Sequence, residues 1–94
     1  MITQIFSVYD SKTKAYFPPM YFPTIGAAIR TMEDTLLDQD NQITRHPEDY
    51  TLFHIGEWND ENATITMLKT AVKIGIAHEF IRQHEMPLIN GAPK

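Results

Sequence analysis

Residues 2–9 (Ile-Thr-Gln-Ile-Phe-Ser-Val-Tyr) are rich in β-branched and aromatic types and contain no breaker, which predicts a strand. In an extended chain Phe6 and Val8 share one face, while Ile5 and Tyr9 share the other. Both faces are apolar, so the strand is read as internal to a sheet. Asp10-Ser11-Lys12-Thr13 has the chemistry of a turn, because Asp and Ser bond their own backbone. Residues 14–17 then return antiparallel until Pro18-Pro19, which cannot donate to a ladder. Met20-Tyr21-Phe22-Pro23 reads as an apolar approach to a helix.

That helix is the clearest periodic signal. Thr24 is its N-cap, and Ile25, Ala28, Ile29, Met32 and Leu36 recur at helical spacing as one stripe. Arg30, Glu33, Asp34 and Asp38 fall outside it, and the pattern fades over residues 38–40. Residues 43–49 read as a loop, with His46 pushed towards extended geometry by Pro47. Residues 50–58 alternate as a strand, with Thr51, Phe53, Ile55 and Glu57 facing one way and Tyr50, Leu52, His54 and Trp58 the other. Gly56 within it marks a bulge or a close backbone approach. Asn59-Asp60-Glu61-Asn62 turns the chain into a partner strand over 63–68, with Ile65 and Met67 on one face. Residues 69–73 either extend that strand or form a crossing segment. A second helix is predicted over 75–84, with Ile76, Ala77, Phe80 and Ile81 on its apolar side.

The order β-β-α-β-β-α defines an α+β protein: a small antiparallel sheet with helices packed on one face. Residues 1–85 form a single domain and 86–94 a C-terminal tail. The other sheet face is left with Tyr and Trp, and a second copy of the chain is the simplest cover, so a homodimer is expected.

Ninety-four residues, 43% apolar and 21% charged, fit one thin-cored domain. Eight Lys/Arg against 12 Asp/Glu leave a net charge of −4, the wrong sign for a wholesale basic nucleic-acid binder. With no cysteine, disulfides, thiol catalysis and Cys-based zinc sites are excluded. No apolar run reaches the ~18–20 residues of a membrane span, and the first residues lack a signal-peptide pattern, so a cytoplasmic protein is expected.

Candidate chemistry is sparse. His78 and His84 are six apart rather than at the i, i+4 spacing of a helical zinc pair, and His54 and Glu57 point to opposite faces of a strand. No metal or cofactor is expected. Neither a nucleophile elbow nor a phosphate-cradling glycine loop is present, and no catalytic residues are assigned. Lys12, Lys14 and Tyr16 cluster on the first hairpin, Tyr9, Tyr50 and Trp58 offer stacking faces, and Arg45 with His46 could approach a phosphate. Composition alone favours the alternative, in which these aromatics pack in a core or a dimer interface. Yet Lys12, Lys14, Arg45, Lys69 and Lys73 all lie outside the acidic stretch at residues 33–40, which leaves room for a local positive patch.

Val8-Tyr9-Asp10-Ser11-Lys12, Ala15-Tyr16, Pro18-Pro19, the helical Gly26 to Arg30 and above all His46-Pro47-Glu48-Asp49-Tyr50-x-Leu52-Phe53-x-Ile55-Gly56-Glu57-Trp58 carry a resemblance. The sequence is similar, over about residues 5–80, to the small non-structural protein of gokushovirus-type microviruses, phages with small circular single-stranded DNA genomes. Asp10, Lys12, Tyr16, Arg30, His46, Pro47, Asp49, Tyr50, Phe53 and Gly56 are the matched positions. Several have a structural use: Pro47 fixes a loop, Gly56 permits a bulge, and Phe53 fills the core. The resemblance implies a DNA-binding, non-capsid protein made in the host bacterial cytoplasm, acting where genome replication turns to single-strand synthesis and packaging.

Two functions follow as expectations. The first is non-enzymatic binding of single-stranded DNA, with Lys12, Lys14, Arg45, His46, Lys69 and Lys73 at phosphates and Tyr16, Tyr50 and Trp58 stacking on bases. The second is a homodimeric adaptor that recruits the phage replication initiator or a host replication protein through the acidic helix face.

Overall fold

In the computed structural model, which describes residues 1–81, the first strand β1 runs Ile2–Asp10 and is followed by β2 (Ala15–Tyr16) and β3 (Met20–Phe22). Both pair antiparallel with β1, β2 at its C-terminal end (Tyr9 opposite Tyr16) and β3 along its N-terminal half (Ile5 opposite Tyr21). They are two pieces of one returning strand. Pro18-Pro19 interrupts it instead of ending it, and the Phe17 amide still donates to the Val8 carbonyl at 2.8 Å. Met20-Tyr21-Phe22 is therefore a strand and not the helix approach that its position before Pro23 indicated.

Helix α1 spans Ile25–Thr35, and the Thr24 hydroxyl accepts the Ala27 amide at 3.1 Å as its N-cap. Of the expected stripe, Ala28, Met32 and Leu36 are buried, whereas Ile25 is exposed. Residues 43–49 are not a loop. A short helix α2 (Gln42–Arg45) starts from an Asn41 cap, and a 3-10 turn (Pro47–Asp49) follows. Ile43 drives this: it is buried in the core, and one helical turn both reaches it and satisfies the local backbone.

Strands β4 (Tyr50–Asn59) and β5 (Thr64–Ile76) complete a five-stranded antiparallel sheet in the order β2-β1-β4-β5, with β3 beside β2 on the outer edge of β1. Residues 69–73 extend β5. The strand continues to Ile76, so the second helix begins at residue 77 instead of 75, and its described part covers 77–81. The predicted end of that helix, the domain boundary at 85 and the tail 86–94 lie outside the described residues.

Phe6, Val8, Tyr50 and Leu52 point to the helices and pack with Ala28, Met32, Leu36, Ile43, Ala77 and Phe80. Helices α1 and α2 and the helix beginning at residue 77 thus contribute to a core on one side of the sheet, as an α+β layer arrangement requires.

The register then decides what the other side carries. Along β1 and β4, Phe6 lies opposite His54 and Ile5 opposite Gly56, so Ile55 is an extra residue and β4 changes parity there. Trp58, opposite Thr3, consequently joins Phe53 on the helix-free side, and Glu57, opposite Gln4, joins His54 on the helix side. This reverses the expected faces of Glu57 and Trp58. The bulge was readable at Gly56; its effect on every later residue of the strand is the correction.

Candidate nucleic-acid interface

Cross-strand partners share a face, so the register reads out the helix-free surface directly. At one end of the sheet Tyr9 pairs with Tyr16, and Phe53 lies opposite Ser7 and Lys73. The rings of Tyr9 and Tyr16 are 4.8 Å apart, and Tyr16 meets Phe53 edge-on at 5.8 Å. Tyr16 is 51% exposed. At the far end Trp58 pairs with Thr3 and Ile65, and Tyr21 stands on the same side; Thr3, Tyr21 and Trp58 line one shallow depression.

Between the two ends lies an apolar groove. Its floor holds Ser7, whose hydroxyl donates to the Phe17 carbonyl at 2.6 Å, and Ile55. Pro19 flanks it on one side. On the other side β5 leaves its regular register: His54 pairs with Val72 and Gly56 with Met67, so residues 68–71 bulge opposite the single Ile55. Lys69 sits in that bulge and is exposed.

Charge is segregated. No sheet position on the helix-free side, among the described residues, is Asp or Glu, and Lys73 is the charged one. Glu33, Asp34, Asp38 and Asp40 belong to α1 and the chain just after it, Glu48 and Asp49 to the 3-10 turn, and Asp60 and Glu61 to the β4–β5 turn. An acidic protein thus keeps the paired sheet positions of one face, among the described residues, free of carboxylates, which composition could not reveal.

Tyr16 and Lys73 lie at the same end of this face, and the β1–β2 turn that carries Lys12 and Lys14 adjoins that end, its Ser11 amide bonded to the Asp49 carbonyl at 3.0 Å. Lys12 and Lys14 are exposed in the β1–β2 turn, where the Asp10 carboxylate accepts the Lys12 amide at 2.9 Å and Lys14 takes a left-handed φ of 57°. Trp58 shares the face farther along, and Lys69 is exposed in the unpaired β5 bulge. Three expected contacts do not belong here. Tyr50 is buried on the helix side, edge-on to Phe17 at 5.8 Å, so its ring is unavailable for stacking. Arg45 and His46 follow Ile43, whose burial holds α2 on the helix side, away from the aromatic face. Phe53, expected to fill the core, is half-buried on the open face instead. Tyr21 belongs to a segment whose sequence reads as a helix approach, although the Met-Tyr-Phe alternation after Pro18-Pro19 carries the signal of a strand.

Electrostatics elsewhere are mild. Partial desolvation raises the Tyr50 phenol above its ordinary pKa, helped by the charges of Asp10 and Asp49 and opposed by Arg45. His46, Glu48 and Asp49 place one ligand atom each within 4.8 Å of one another, with His46 and Glu48 exposed. This is a loose grouping on an acidic turn and differs from both His pairs weighed in the sequence. His54 instead packs on Phe6 at 5.1 Å and its Nε2 lies 3.1 Å from the Gly56 carbonyl; His84 lies outside the described residues.

The fold and face together define a small α+β protein with a one-sided sheet, helices behind and an aromatic surface in front. The chain belongs to the phage ORF5 protein family, whose pattern matches residues 3–80. It is similar to Protein ORF5 of Chlamydia phage 1, with 35% identity over 60 residues that cover 60% of this chain and 62% of that relative. The match thus spans less than two thirds of the relative's length. These findings bear out the resemblance to a small protein of gokushovirus-type microviruses. No solved structure matches. Among the described residues no helix is long and apolar enough to cross a membrane.

Proposed function

We propose that this phage ORF5 protein binds single-stranded DNA, without bond chemistry, on the helix-free face of its sheet. The observation that carries the reading is the cluster of Tyr9, Tyr16 and Phe53 beside Lys73 on a face whose paired sheet positions, among the described residues, hold no carboxylate, with the Lys12–Lys14 turn at its end. Single-strand binders combine such rings with cations: each stacked base contributes about 1–3 kcal/mol, and every base has a π-face to offer. Sheet platforms with helices behind use the same geometry for unpaired bases. Binding of this kind is sequence-tolerant and serves a phage that must handle single-stranded genomes during replication, the switch to single-strand synthesis and packaging in the host bacterial cytoplasm.

The test is anisotropy titration of a fluorescein-labelled oligo-dT at low salt. Tyr16→Ala, and the double variant Lys12→Ala/Lys14→Ala, are each expected to weaken binding about tenfold, the lysine variant with its thermal midpoint unchanged and Tyr16→Ala still folded at the assay temperature. Wild-type affinity in both variants contradicts the reading.

A second reading keeps the homodimeric adaptor, which would engage a phage initiator or host replication protein. It is favoured by Ile65 and Met67, 51% and 58% exposed on the same face. A dimeric sedimentation coefficient together with silence towards oligo-dT supports it over the first.

A further inference from the structure

The groove in the middle of the face has dimensions and chemistry of its own. It is an open concavity of about 410 Å³, near the lower end of the roughly 300–1,000 Å³ of small-molecule sites, which suits one planar ring system. Pro19, Ile55, Met67, Leu68 and Ala71 supply apolar walls, the rings of Tyr16 and Phe17 complete the lining, and Ser7 and Tyr16 supply hydroxyls. Ser7 is only 2% exposed and spends its proton on the Phe17 carbonyl, so its oxygen is left to accept. All four DNA bases carry an N–H on their edges that such an oxygen can take.

We propose that this groove receives one unstacked base of the bound single strand, a proposal that rests on the DNA reading above. A strand that stacks on Tyr16 and Phe53 at one end and on Trp58 and Tyr21 at the other must cross the groove between them. The β5 bulge makes the crossing electrostatically favourable. It sets exposed Lys69 between the wall residues Leu68 and Ala71 in sequence, where the sugar-phosphate chain would pass, and among the described residues no paired position of the face is a carboxylate. A nucleic-acid strand therefore fits the groove better than an acidic protein segment. Insertion also gives selectivity: a base held in a duplex cannot enter without being unpaired, so single strands bind better than duplexes of the same sequence.

Ala71→Phe fills the groove, which Tyr16 also lines, from its β5 wall and removes none of the aromatic or lysine side chains of the face. Folding is checked by circular dichroism, and affinity for labelled oligo-dT and for a duplex is measured by anisotropy. The expected result is about a tenfold loss of oligo-dT affinity and little change in the weaker duplex binding. If Ala71→Phe does not fold, Ala71→Met is expected to lose about threefold. Oligo-dT affinity equal to wild type in a folded variant overturns base insertion while the DNA reading stands. Absence of binding by the wild-type protein overturns both. A wild-type dimer that Ala71→Phe converts to a monomer overturns insertion in favour of a second copy in the groove.

Discussion

Trp58 stands on the same side of the sheet as Phe53, five positions earlier, because Ile55 drops out of the β1–β4 register between them. Without that bulge the tryptophan would face the helices. The register depends on Gly56, where an added Cβ would come within 2.8 Å of the Thr66 carbonyl oxygen, a backbone atom that cannot swing away. Gly56→Ala is expected to destabilise the fold by about 1–3 kcal/mol, read by urea denaturation. A change below about 0.5 kcal/mol would mean that β5 does not press on β4 at this point.

The far turn offers the opposite result. Ala63 closes the β4–β5 turn at a φ of 57°, a left-handed conformation that disfavours a Cβ. Ala63→Gly is expected to stabilise by about 0.5–1 kcal/mol, the relief of strain exceeding the entropy that glycine adds to the unfolded chain. Chemical denaturation of the pair of proteins checks it.

Helix α1 depends on its cap. Removing the hydroxyl that accepts the Ala27 amide, in Thr24→Ala, is expected to cost about 1 kcal/mol, while Thr24→Ser retains most of the stability. Thermal melts of both variants distinguish a lost hydrogen bond from a lost methyl contact.

Tyr50 sets an alkaline limit. Its phenol holds its proton more tightly in the folded state than the ordinary value of 10.0, through desolvation first and then Asp10 and Asp49. The stability it contributes is present in full below about pH 10 and is lost as pH rises through the folded value, because the unfolded chain ionises first. Tyr50→Phe is expected to flatten the stability-pH curve above pH 10 and leave it parallel to wild type at neutral pH. An unchanged alkaline limb would place the sensitivity elsewhere.

Much of the scaffold was legible because its signals are local. The β-branched run of β1, the Asp10 turn, the Thr24 cap and the glycine at the bulge each depend on neighbours within a few residues. What escaped depends on partners far away in sequence. Met20, Tyr21 and Phe22 become a strand by pairing with β1 across two prolines, and residues 42–45 become a helix because the core claims Ile43. The site was legible in the same proportion. Lys12, Lys14, Tyr16 and Lys73 follow from turn and strand placement. Tyr50 and Phe53 exchanged roles because β4 is apolar on both sides, and only the helices decide which side is core.

The central claim is that the aromatic face grips a single strand partly through its phosphates. Titration of the intrinsic fluorescence with oligo-dT, repeated over a series of salt concentrations, tests it most directly. With Lys12, Lys14, Lys69 and Lys73 each on a phosphate, log K against log salt should fall with a slope of about −3, and Lys73→Ala should reduce its magnitude by about 0.7. Fluorescence that does not respond to oligo-dT, or an affinity that salt leaves unchanged, would contradict the account.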